Sequence, residues 1–79
     1  MGKYIAFLRG VNVGGIVLKM DDFKKVLEYL GYQNIKTYIQ SGNAVFENSD
    51  SNKRRMEAEI AFEIKIKSKV TTVAIVLSM

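Results

Sequence analysis

The chain has 79 residues, 48% of them hydrophobic and 25% charged, and carries a net charge of +4. That length makes one small domain, which buries about 60–65% of its unfolded surface, and that composition excludes disorder. With no cysteine and no histidine, the chain has no disulfide framework and no thiolate metal site, and it lacks the commonest metal ligand and general base.

Cysteine-free composition is the usage expected of a cytoplasmic protein. No run approaches the ~18 apolar residues of a membrane span. Ile5-Ala6-Phe7-Leu8 is too short for a signal-peptide core, and Ala6 stands where a myristoylation motif at Gly2 wants Ser or Thr. The basic excess lies in the second half, in Lys53, Arg54, Arg55, Lys65, Lys67 and Lys69 against Glu57, Glu59 and Glu63. Such a face either keeps a small domain soluble or meets a nucleic acid. Solubility is the simpler reading.

In chain order, Lys3 to Arg9 reads as a first strand. Tyr4 to Leu8 is continuously apolar, as in strands covered on both faces. Glycines mark 10–15 as a loop, and Ile16-Val17-Leu18 places three apolar residues in a connector. A first helix begins near Asp21 or Asp22, either of which suits a capping position. Phe23, Val26, Leu27 and Leu30 form its buried stripe, and Gly31 is a left-handed stop. Two strands then fold back on each other at Ser41-Gly42-Asn43. Ile35, Thr37 and Ile39 alternate with Lys36, Tyr38 and Gln40, and Ala44 and Phe46 with Asn43, Val45 and Glu47. Gly42 and Asn43 tolerate the positive φ that tight hairpins need.

Asn48 to Asn52 is a polar break. A second helix from about Asn52 buries Met56, Ile60 and Ile64 with Phe62 beside them, and is expected to end near Lys65. Residues 62–67 also alternate with period two, so a strand is the competing reading there. Val70 to Leu77 is a last apolar strand. The order strand, helix, strand, strand, helix, strand is the ferredoxin-like βαββαβ plan, an α+β fold with a four-stranded antiparallel sheet and two helices on one face. The first and last strands are apolar on both sides, so the second face of the sheet needs a cover that two helices cannot give.

Three pieces carry a resemblance: Tyr4-Ile5-Ala6-Phe7-Leu8-Arg9-Gly10-Val11-Asn12-Val13-Gly14-Gly15, then Lys19-Met20 opening a helix, then Thr37-Tyr38-Ile39-Gln40-Ser41-Gly42-Asn43-Ala44-Val45-Phe46. Together they resemble the bacterial family called domain of unknown function 1697. The likeness is strong from about residue 3 to 48 and weaker beyond Asn48. Family members typically run to about twice this length, so the resemblance implies an N-terminal half with a ferredoxin-like fold. It implies no established activity. The loop after Gly15 is usually polar in that family, whereas here it reads Ile16-Val17-Leu18.

Two groups are candidate ligand-binding sites. Arg9, Asn12, Gly14 and Gly15 form a glycine loop between strand and helix, where backbone N–H groups and a guanidinium can hold an anion. The loop lacks the Gly-Lys-Ser/Thr of a phosphate-binding loop and the Gly-x-Gly-x-x-Gly of a dinucleotide fold. The plainer alternative is a tight connection with Asn12 bonding its own backbone and Arg9 pairing an acid. Tyr38, Gln40, Ser41 and Asn43 form a polar and aromatic strand face with its turn, suited to a small ligand or a stacked base, or simply to solvent. Topology predicts that the two groups converge.

An RNA-recognition module would need paired aromatics on the first and third strands. The third offers Asn43, Val45 and Glu47 on one face, and Tyr4 and Phe7 point opposite ways, so nucleic acid is disfavoured. Ser41 has no histidine to activate it. Adjacent Asp21 and Asp22 point about 100° apart on a helix, as residues so close must, and Glu57 and Glu59 also face apart. No metal site, cofactor or catalytic residue is therefore assigned. The sequence points to an interaction or ligand-binding domain that self-associates through its sheet as a homodimer. The alternative is a half-site of an enzyme for an anionic or phosphorylated small molecule, completed by a C-terminal half.

Overall fold

A computed structural model describes residues 2–10, 18–38 and 42–79. The elements are β1 (Gly2–Arg9), α1 (Met20–Tyr29), β2 (Gln33–Tyr38), β3 (Asn43–Asn48), α2 (Lys53–Ser68) and β4 (Val73–Ser78). The four strands form one antiparallel sheet in the order β2-β3-β1-β4. This is the expected ferredoxin-like βαββαβ plan.

Alternation along the strands decides what each face carries. Tyr4, Ala6 and Leu8 of β1, Ala44 and Phe46 of β3, and Ala74 and Val76 of β4 are buried. They pack under Phe23, Val26 and Leu27 of α1 and Met56, Ile60 and Ile64 of α2 in one core. Phe46 lies at its centre, fully buried. It stacks on Tyr32 with ring centroids 4.6 Å apart and meets Tyr4 at 5.9 Å.

Helix α1 starts at Met20, where the Lys19-Met20 piece opened it and one residue before Asp21. Its N-cap is Lys19, which makes no side-chain cap, and Asp21 and Asp22 lie in the first turn. Neither aspartate is therefore the cap; both favour the positive end of the helix dipole instead. The entry is fixed by apolar packing: Leu18 and Phe23, at the two positions of a hydrophobic staple, both join the core. Of the apolar connector, Leu18 is buried, while Ile16 and Val17 lie outside the described residues. The exit matches expectation. Gly31 takes φ +86°, its N–H donates to the Glu28 carbonyl, and that of Tyr32 donates to the Leu27 carbonyl. These are the paired bonds of a Schellman stop.

Helix α2 begins where expected, with the Asn52 side chain accepting the Arg55 N–H at 3.1 Å. It runs to Ser68, past the expected end at Lys65, and closes on Lys69 at φ 57°. The strand reading of 62–67 is thereby excluded, because Ile60 and Ile64 continue the one-turn spacing set by Met56. Phe62 is not beside them. It is 62% exposed, about 200° round the helix from Ile60. Strand β4 begins at Val73 rather than Val70, and Val70 is buried in the core just before it.

The hairpin turn is partly described. Gly42 has φ 63° and its carbonyl accepts the Leu8 N–H at 3.0 Å. Asn43 is already part of β3 and not a left-handed turn residue. Ile39, Gln40 and Ser41 lie outside the described residues.

Candidate functional site

The helices cover one face of the sheet. The other is laid out by register in rows across the strands in the order β4, β1, β3, β2. Ile75, Phe7, Asn43 and Tyr38 make one row, and Leu77, Ile5, Val45 and Lys36 the next. Val73 and Arg9 pair at one end of this surface, and Lys3 and Glu47 at the other. Its middle and its β4 side are therefore apolar. Val73 and Leu77 are 59% and 51% exposed, and Ile5, Phe7, Val45 and Ile75 are half-buried by their neighbours on the same face.

Of the predicted site residues, Arg9, Tyr38 and Asn43 are described, and the sheet brings all three to one end of this open face. Asn43 lies between Phe7 and Tyr38 in its row, and Arg9 follows Phe7 on the same side of β1. Arg9 is exposed, and both ion pairs found among the described residues belong to Arg55, not to Arg9. The acid partner suggested for Arg9 is therefore not among the described residues. Its backbone is held instead, with the carbonyl accepting the Thr72 hydroxyl at 2.6 Å. Gly10 then turns the chain at φ +77°. Asn12, Gly14, Gly15, Gln40 and Ser41 lie outside the described residues.

The opposite end of the face holds a shallow cleft of about 290 Å³ lined by Lys3, Asn34, Lys36, Val45 and Glu47. A bulge forms its wall. The β2–β3 register shifts by one residue between Gln33 and Lys36, and Asn34 takes φ 52°, a conformation that asparagine adopts more readily than most residues. The Asn34 side-chain amide donates to Glu47 Oε2 at 2.8 Å, which holds that carboxylate in a cleft that Lys3 and Lys36 also line. No sequence signal marked this bulge beyond the asparagine itself.

A second polar arrangement, also missed from sequence, ties α2 to the rest. The Tyr32 hydroxyl donates to Glu59 Oε2 at 3.1 Å, and Arg55 Nε donates to the other oxygen of Glu59, also at 3.1 Å. Burial, reinforced by the Glu59 carboxylate, pushes the Tyr32 phenol well above its ordinary range. On the far side of α2, Glu57 accepts the Val76 N–H at 2.8 Å. Glu57 and Glu59 thus face apart, as two residues one position removed from adjacency must on a helix. The signals available in sequence were their spacing and the i,i+4 placement of Arg55 and Glu59; Val76 and Tyr32 are distant in the chain and left none.

Tyr38 and Phe7 are the aromatics of the open face in the Asn43 row. Phe46 is buried under the helices, so β3 presents no aromatic on its open side. Among the described residues no group of three carboxylates lies close enough to hold a metal ion. None of the described helices is long and apolar enough to cross a membrane.

The comparison with curated proteins returns no match. Among solved structures, the chain is similar to the conserved bacterial protein SP0830 from Streptococcus pneumoniae, with a TM-score of 0.81 and 27% sequence identity. The likeness covers 99% of this chain and 43% of that one, so the chain spans less than half the length of its structural relative. The family model described as "Protein of unknown function (DUF1697)" matches residues 1–79, extending the likeness well beyond Asn48, where the sequence motifs end. On that match, together with the fold, the chain belongs to the DUF1697 family.

Proposed function

We propose that the chain is a non-catalytic interaction module that pairs with a second copy of itself through the open face of its sheet. The observation that carries this reading is the apolar surface made by Ile5, Phe7 and Val45 with Val73, Ile75 and Leu77, which no element among the described residues covers. Contiguous apolar surface of this kind marks an association site. Both sheet edges argue against lateral pairing instead. α2 packs along β4 and its Glu57 takes an edge-facing N–H, while the Asn34 bulge distorts β2.

Size sets the expected strength. Four strands of about six residues give a face of roughly 20 by 20 Å, and a standard interface buries about 800 Å² of accessible surface on each partner. Such a contact sits at the low end of the range and makes a concentration-dependent dimer. Sedimentation velocity across a wide concentration range tests it, with Leu77→Glu and Val73→Glu as variants whose exposed positions leave the core intact. A dimer that both variants dissociate is expected. A wild-type chain that stays monomeric at the highest concentration overturns the reading.

In the wider proposal the chain is the N-terminal part of a longer architecture, and further chain takes the place of the second copy. Its 43% span of the Streptococcus protein supports this.

A second reading is favoured by the convergence of Arg9, Asn43 and Tyr38 at one end of the face. There the chain supplies half of a site for an anionic or phosphorylated small molecule. A thermal-shift screen with phosphorylated metabolites, with Arg9→Ala as control, checks it. Stabilisation lost in the variant is expected, and no stabilisation by any compound removes the reading.

A further inference from the structure

Helix α2 is apolar on two sides. Met56, Ile60 and Ile64 fill the core. Ala58, Phe62 and Ile66 follow one another at the same one-turn spacing, and all three are exposed, Phe62 by 62% and Ile66 by 55%. Phe62 is about 200° from Ile60 on the helical wheel, so the second stripe runs along the outside of the molecule.

Charge decides what the outer stripe fits. Arg54, Lys65 and Lys69 are exposed around it, and none of them takes part in an ion pair among the described residues. Of the three acids of α2, Glu57 is taken by Val76 and Glu59 by Tyr32 and Arg55, while Glu63 is half-buried about 100° round the helix from Phe62, on the side away from Arg54 and Lys65. Lys67 is turned away from the ridge, with its Nζ 4.0 Å above the ring of Tyr29. A second copy meeting this ridge antiparallel would set the flank of Arg54, Lys65 and Lys69 against itself, which is unfavourable.

The geometry points to a partner of opposite character: the outer ridge of α2, Ala58-Phe62-Ile66 with the basic flank of Arg54, Lys65 and Lys69, is a docking surface for an acidic amphipathic helix of another protein. Its apolar side covers Phe62 and Ile66, and its carboxylates meet Arg54, Lys65 and Lys69. This is the pairing of apolar anchors with complementary charge that helix recognition uses. The surface lies on the helical side of the domain, away from the open sheet face, so it does not depend on the self-association proposed above.

The test is amide shift mapping of the full chain with a designed peptide helix bearing leucines on one side and glutamates on the other. A matching peptide with lysines in place of glutamates and vesicles of phosphatidylserine with phosphatidylcholine are the comparison arms. Salt-sensitive binding of the glutamate peptide is expected, with shifts at Ala58, Phe62, Lys65 and Ile66. Affinity falls about tenfold or more in Phe62→Ser with Ile66→Ser, while sedimentation of that variant matches the wild type. Equal binding of the lysine peptide, a preference for vesicles, shifts confined to the sheet face, or ridge shifts that grow with protein concentration alone each overturn the assignment.

Discussion

The carboxylate of Glu57, on α2, accepts the backbone N–H of Val76 on the edge strand β4 at 2.8 Å. A side chain from the helical layer thus completes the hydrogen bonding of the sheet. The bond is partly buried, and Val76 itself is 2% exposed, so water cannot freely replace the carboxylate. Glu57→Ala is expected to cost about 1–3 kcal/mol, the penalty of an unmet buried donor. Urea unfolding measures it, and hydrogen exchange at the Val76 amide should speed up more than exchange at the β1 amides.

Tyr32 gives the chain a pH dependence of known sign. Its phenol is pushed up from the ordinary 10.0, first by burial and then by Glu59. The native state therefore keeps the proton after the unfolded chain has lost it, and stability falls as pH rises above about 10, by up to about 1.4 kcal/mol per pH unit from this group. Tyr32→Phe removes that slope and loses the bond to Glu59. The variant should be about 1 kcal/mol less stable at neutral pH, with the gap to wild type closing above pH 10. Chemical denaturation of both proteins at neutral and alkaline pH checks the crossing trend.

The two helix ends should respond to substitution through different mechanisms. Asn52→Ala removes the acceptor for the Arg55 N–H and should cost about 1 kcal/mol. Gly31→Ala meets no heavy atom within 4 Å, so any loss reports the left-handed backbone alone, and about 1 kcal/mol is expected. Thermal melts of the two variants give the comparison.

Two phenylalanines separate core from surface. Phe46→Ala empties the space between Tyr4 and Tyr32 and should cost about 3–5 kcal/mol, enough to unfold most of a domain this small. Phe62→Ala should change stability by about 0.5 kcal/mol or less. Circular dichroism during urea titration shows the contrast directly.

The architecture was legible because each element carried a local signal. Phe23, Val26 and Leu27 wrote the α1 stripe, Gly31 its stop and Asn52 the start of α2, and strict alternation through Ala44 and Phe46 fixed which side of β3 is buried. What failed was information that is not local. Phe62 was placed with Met56, Ile60 and Ile64 because it is apolar, although its position on the wheel already put it outside. The cap of α1 was misassigned because packing of Leu18 and Phe23 overrode the capping preference of Asp21. The bonds from Glu57 to Val76 and from Tyr32 to Glu59 span 19 and 27 positions in the chain and had no pattern to betray them. Of the candidate site, the shared end of the sheet for Arg9, Asn43 and Tyr38 followed from topology alone.

The distorted margin at Asn34 on one flank and the helix-guarded margin of β4 on the other have a consequence for growth. A pleated layer with neither border free cannot be lengthened into a ribbon, because an incoming strand finds no straight row of donors and acceptors to copy. Any company this domain keeps on that layer must lie flat against it, and one flat neighbour uses the whole of it. If the pairing proposed above holds, the count stops at two, without any further device to prevent a fibre.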